Sequence, residues 1–96
     1  MGSRRSNIEI IAEILRLGQS NAGKTRIMYI VNMSHLQLEK YINFLEEGEF
    51  LQRTQSERSA AGSTKYHTTA KGKRLLRDID KLSALLGLGA EEAGNR

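Results

Sequence analysis

The sequence predicts a mainly α-helical fold with a two-stranded β-wing, and three observations carry that expectation. Apolar residues recur at helical spacing in four separate stretches. Between the third and fourth, the helical spacing is lost; two short extended runs flank a polar tip of small residues. Capping residues, glycine and asparagine mark the joins between these stretches.

Taken in order, Ser6 and Glu9 have capping-box spacing ahead of the stripe Ile8, Ile11, Ile14 and Leu15, with Ile10 beside it. A first helix over residues 7–17 is expected, stopped by Gly18. Residues 19–23 read as a polar loop. Lys24–Val31 reads as a short helix carrying Ile27, Met28, Ile30 and Val31. After the break at Asn32 and Met33, Ser34 and Gln37 open a third helix with the same capping-box spacing. Leu38, Tyr41, Ile42 and Leu45 form its apolar face, and Gly48 offers a left-handed ending. Two helices joined by about three residues make a helix-turn-helix. Residues 50–54 and 65–68 read as the strands of a hairpin whose tip is long, mobile and basic. Thr69 then caps a last helix, Ala70–Leu86, with Leu75, Ile79, Leu82 and Leu86 spaced four, three and four apart. This order defines a winged helix-turn-helix with a long C-terminal helix. Its expected divisions are a flexible basic arm (1–6), the winged domain (7–69), a dimerisation helix (70–86) and a flexible tail (87–96).

Composition narrows the function. Ninety-six residues allow one domain with a modest core. No apolar run approaches a membrane span, and no signal-peptide core is present. With no cysteine and two histidines, thiolate metal sites and disulfides are excluded and a structural zinc site is not expected. The net charge is +4, but residues 53–77 hold seven lysines and arginines against Glu57 alone. Positive charge concentrated in this way fits a polyanion. His35 and His67 lie on separate elements, and no nucleophilic or paired-carboxylate arrangement has supporting context. No enzymatic activity and no cofactor are expected.

Three stretches resemble a known family. Leu45-Glu46-Glu47-Gly48-Glu49-Phe50-Leu51 is similar to the end of a winged-helix recognition helix running into its strand. Tyr66-His67-Thr68-Thr69-Ala70-Lys71-Gly72 resembles the strand-to-helix signature Tyr-x-Leu-Thr-x-x-Gly, with Thr68 where an apolar residue is usual. Lys24-Thr25-Arg26-Ile27-Met28-Tyr29, followed by Asn32-Met33-Ser34, resembles the small archaeal winged-helix DNA-binding proteins that dimerise through a C-terminal antiparallel coiled coil. The resemblance spans residues 7–80. It implies double-stranded DNA binding, a homodimer, and a role as transcriptional regulator or chromatin-type protein, in the cytoplasm and associated with the nucleoid. The last helix is short beside the coiled coil that this implies.

One motif points elsewhere. Gly18-Gln19-Ser20-Asn21-Ala22-Gly23-Lys24-Thr25 satisfies G-x-x-x-x-G-K-[ST], the phosphate-binding loop. Such a loop follows a buried parallel strand, whereas residues 8–17 have helical periodicity, and the chain has no room for a parallel sheet. A polar loop feeding a helix N-terminus still presents N–H groups to an anion. Thr25, with Lys24 or Arg26, is therefore expected to clamp a DNA phosphate.

The remaining DNA-binding candidates follow from chemistry. On the third helix, which Ser34 begins, Gln37 and Asn43 suit adenine edges, while His35 and Lys40 reach guanine or phosphate. Glu39 is awkward near DNA, though it can accept from cytosine. Leu36 either meets a thymine methyl or packs beside the second helix. Arg53, Arg58 and Lys65 of the wing are expected on phosphate or in the minor groove. For the dimer, Leu75, Ile79, Leu82, Leu85 and Leu86 form the expected seam; the competing use of Leu75 and Ile79 is to cover the first helix. A rival reading is a winged-helix protein-interaction module that uses the acidic cluster Glu46, Glu47 and Glu49. RNA binding is a third reading, weakened by the few aromatic residues.

Overall fold

The first helix, α1 (Asn7–Gly18), begins on the capping box that its sequence announces: the Ser6 hydroxyl accepts the Glu9 N–H, and the Glu9 carboxylate accepts the Ser6 N–H. The computed structural model describes residues 6–55 and 64–87. After α1 come β1 (Ala22–Gly23), α2 (Lys24–Val31), α3 (His35–Glu47), β2 (Leu51–Gln55), β3 (Thr64–Thr68) and α4 (Ala70–Leu86). The expected arm and tail, the wing tip with Arg58, and Leu88 lie outside the described residues, apart from Ser6 and Gly87.

Among the described residues the sheet has three strands in the order β1-β3-β2, both pairs antiparallel. The expected two-stranded wing is the β2–β3 hairpin, and β1 adds a third strand to its sheet. Part of the expected loop at residues 19–23 forms β1, whose Ala22 pairs with Tyr66 and whose Gly23 pairs with Lys65. Asn21, at a left-handed φ of 61°, turns the chain into this strand, and its Oδ1 lies 3.1 Å from His67 Nδ1. In the hairpin, Leu51 faces Thr68 and Gln55 faces Thr64. Both strands start one residue from their expected positions.

Two glycines serve purposes other than the expected ones. Gly18 does not stop α1 but ends it as a buried helical residue, followed by Gln19 in right-handed helical conformation. A Cβ there would overlap the Thr68 hydroxyl. That hydroxyl donates to the Leu15 carbonyl at 2.6 Å. The carbonyls of Arg16, Leu17 and Gly18 accept from the N–H groups of Gln19, Ser20 and Asn21. All four carbonyls that α1 leaves open at its end are thereby satisfied. Thr68 is fully buried where the family signature has an apolar residue, and this bond offsets the cost of burying its hydroxyl.

At the end of α3, Gly48 stays right-handed (φ −82°), and Glu49 takes the left-handed conformation instead (φ 65°). Phe50 N–H bonds the Leu45 carbonyl and Glu49 N–H the Glu46 carbonyl, which is a Schellman ending. Gly48 is small for a different reason, since a Cβ there would strike the Phe50 ring.

The core joins every helix to the sheet. Ile10, Ile14 and Leu15 of α1 meet Ile27 and Val31 of α2 and Leu38, Ile42 and Leu45 of α3. Leu51, Tyr66 and Leu76 close it from β2, β3 and α4. Leu75 and Ile79 are half-buried against this core, which is the competing use foreseen for them. Leu82, Leu85 and Leu86, farther along α4, are exposed by 51%, 77% and 62%.

Thr68→Val keeps the side-chain shape but leaves the Leu15 carbonyl unpartnered in a dry site. It should cost about 1–3 kcal/mol, read as a lower urea midpoint with an unchanged denaturant slope.

Candidate functional site

The helix-turn-helix is set by a short, sharp join. Asn32 ends α2 in the left-handed conformation (φ 57°), and its N–H bonds the Met28 carbonyl at 2.8 Å. Ser34 then caps α3: its hydroxyl accepts from Gln37 N–H at 3.2 Å, and the Gln37 side-chain oxygen accepts from Ser34 N–H. These two expected contact residues thus fix where α3 starts. Tyr41 Oη donates to Asn7 Oδ1 at 2.6 Å and ties the middle of α3 to the start of α1.

With Leu38, Ile42 and Leu45 buried, a helix of about 3.6 residues per turn directs Leu36, Lys40, Asn43 and Glu47 away from the core. All four are exposed. His35, Glu39 and Glu46 lie along one flank of this ridge. Two of these flanking side chains are neutralised from outside the helix. Lys24, at the start of α2, is hydrogen-bonded to Glu39. Arg53 of β2 grips Glu46 with two bonds, Nε to Oε2 at 3.0 Å and Nη2 to Oε1 at 2.9 Å. The same guanidinium lies 5.6 Å from the centre of the Tyr66 ring. His35 Nε2 is 3.9 Å from Glu39 Oε1.

The structure therefore separates the expected contact residues into groups. Thr25, Arg26, Ser34 and Gln37 line one shallow groove across the turn. Lys40 and Asn43 stand free on the ridge. Lys65 is exposed on β3, apart from that groove. Lys24 and Arg53 are tied to glutamates of α3. The sequence reading missed Tyr29, which is 86% exposed and shares the groove with Thr25 and Arg26. The available signal was helical spacing: Tyr29 follows Thr25 by four residues on the side of α2 opposite Ile27 and Val31.

Lys24 also sets the charge on its partner. Its hydrogen bond, against a smaller opposing effect of burial, holds the Glu39 carboxyl below the usual glutamate range. The charges of Lys24, His35 and Arg53 act in the same direction.

A helix-turn-helix followed by a sheet-backed hairpin and a closing helix is the architecture of a winged helix-turn-helix. A family model described as winged helix-turn-helix matches residues 4–86, and the chain belongs to that family. The protein MJ0287 of Methanocaldococcus jannaschii is 31% identical over 84 residues, which is 86% of this chain and 78% of that protein. MJ0290 of the same organism is 32% identical over 84 residues; this chain spans only 36% of its length. Among solved structures, the fold is similar to that of Sso10a-2, a DNA-binding protein from Sulfolobus solfataricus. That match has a TM-score of 0.75 at 25% identity and covers 93% of this chain and 92% of the other. The expected resemblance to small archaeal winged-helix proteins is thus borne out.

Because folding lowers the pKa of Glu39, its contribution to stability is complete above the ordinary glutamate value and is lost as pH falls through the lowered one. Glu39→Gln should abolish that acid-side loss. Urea unfolding across a pH series should show wild type and variant diverging at neutral pH and converging in acid.

Proposed function

We propose that this protein binds double-stranded DNA as a homodimer, with α3 in the major groove and the β2–β3 hairpin on the flanking backbone. It acts by binding, as a transcriptional regulator or chromatin-type protein of the nucleoid. The observation that carries this reading is how α3 disposes its charges. Glu39 and Glu46, which would repel phosphate, are neutralised by Lys24 and Arg53, and the first three turns of the outward ridge are left to Leu36, Lys40 and Asn43, with Glu47 at its far end. That Sso10a-2, matched over nearly the whole chain, is a DNA-binding protein supports the same reading. Thr25, Arg26, Tyr29, Lys40 and Lys65 take the phosphates, and Asn43 takes an adenine edge, while Gln37 and His35 stay on Ser34 and beside Glu39. Lys24 and Arg53 serve the interface through the glutamates they neutralise. The rival protein-docking edge loses Glu46, which is engaged by Arg53.

The test is a titration with duplex DNA over a range of salt. Lys40→Ala and Lys65→Ala should each flatten the slope of log affinity against log salt by about 0.9 per bound subunit. Absence of duplex binding at low salt would overturn the reading.

For the dimer, the partner is a second copy meeting α4 at Leu82, Leu85 and Leu86, the part of the expected seam that the core leaves uncovered. Leu82→Glu should give a folded monomer by sedimentation equilibrium at concentrations where the wild type is a dimer.

A further inference from the structure

We infer that Leu36 is a specificity-determining residue that reads the 5-methyl group of thymine in the major groove. The inference rests on the DNA-binding reading above and deepens it.

Three observations place it. Leu36 lies in the first turn of α3, the part of a recognition helix that reaches base edges when the helix enters the groove. It points directly away from the buried stripe and is 75% exposed, so it does not pack beside α2. Its companions in the first turn have other engagements: Gln37 folds back onto Ser34, and His35 lies beside Glu39. Leu36 is thus the first-turn side chain that neither builds the cap nor faces an ion pair.

Its chemistry selects the ligand. A leucine side chain can neither donate nor accept a hydrogen bond. Of the groups that the four base pairs present in the major groove, all are donors or acceptors except the thymine methyl. An exposed leucine surrounded by groove-compatible polar groups therefore favours thymine and is indifferent or unfavourable elsewhere. Lys40 and Asn43 sit four and seven residues further along the same ridge. They supply a phosphate or guanine contact and an adenine contact, and Leu36 supplies the apolar member of the set.

The test uses two duplexes differing only in that methyl group: an alternating adenine–thymine duplex and its adenine–deoxyuridine counterpart. Wild-type protein should bind the thymine duplex about fourfold more tightly per subunit, the effect of burying one methyl-sized group. Leu36→Ala should bind both duplexes equally, near the wild-type affinity for deoxyuridine. The exposed site and the high helix propensity of alanine leave the fold intact. Equal wild-type affinity for the two duplexes overturns the inference and leaves the DNA-binding reading standing. A thymine preference that persists in Leu36→Ala also overturns it. Failure of the wild type to bind either duplex at low salt overturns the DNA-binding reading itself, and this inference with it.

Discussion

Two neighbouring hydroxyls, on Thr68 and Thr69, hold the parts of this fold together. Thr68, inside the core, bonds the Leu15 carbonyl and fixes the end of α1 to β3. Thr69 faces the other way. Its hydroxyl accepts the Gly72 N–H, capping α4, and donates to the Glu49 carbonyl at 2.7 Å. Its own N–H bonds the Phe50 carbonyl at 3.1 Å. One corner of two residues therefore determines where α1 ends, where α3 hands over to β2, and where α4 begins. The glycines follow from it. Gly18 lets α1 come within reach of Thr68, and Gly72 lets α4 cross the Phe50 backbone, where a Cβ would overlap the carbonyl oxygen. Each contact is short because a glycine faces it, so neither can be relaxed without moving a helix.

That corner also explains why a left-handed glutamate is tolerated. Glu49 adopts φ 65°, a conformation costly for a residue with a side chain. Its carbonyl is bound by Thr69 and its N–H by the Glu46 carbonyl, so the surroundings over-determine the strained geometry. The end of α3 is consequently stiff where it leaves for the wing. Arg53 adds a second tie in the same region by holding Glu46 from β2. α3 and the described part of the β2–β3 hairpin are thus tied together at two points.

Much of this was legible in the sequence, and the failures have a common origin. The bounds of α2 and α4, both capping boxes and the hairpin all follow from local chemistry: spacing, caps and turn residues. What escaped depends on side chains that folding, not local spacing, brings together. Strand β1 is two residues long and exists only because Tyr66 and Lys65 pair with it, so no local pattern announces it. Gly18 and Gly48 look like terminators locally, yet each is small because a distant or folded-back side chain, Thr68 or Phe50, occupies the space. The site shows the same division. That α3 carries the outward ridge was legible from helical periodicity. That Lys24 and Arg53 turn toward Glu39 and Glu46 was not, because both pairs are made only by the packing of α2 and β2 against α3. A lysine or arginine in a sequence announces charge, not the partner that claims it.

The division of labour along α4 connects these points to assembly. Its first half faces inward through Leu75, Leu76 and Ile79, and Arg16 reaches Asp80 from α1 at 3.3 Å. Its second half presents Leu82, Leu85 and Leu86 outward before Gly87 closes the helix in left-handed conformation (φ 76°). In the dimer proposed above, the spacing between two copies of α3 is then set by how firmly α4 is seated on its own domain. The seat consists of the Thr69 cap, the Gly72 crossing and the apolar contact of its first half, all on the side of α4 nearest the α3–β2 corner. An exposed ion pair such as Arg16–Asp80 adds only about 0–1 kcal/mol, so it orients the helix without anchoring it. Rigidity at that corner matters because two groove-reading helices on one duplex must keep a fixed separation to bind together. A loosely seated α4 would still dimerise, but the two halves would engage DNA one at a time.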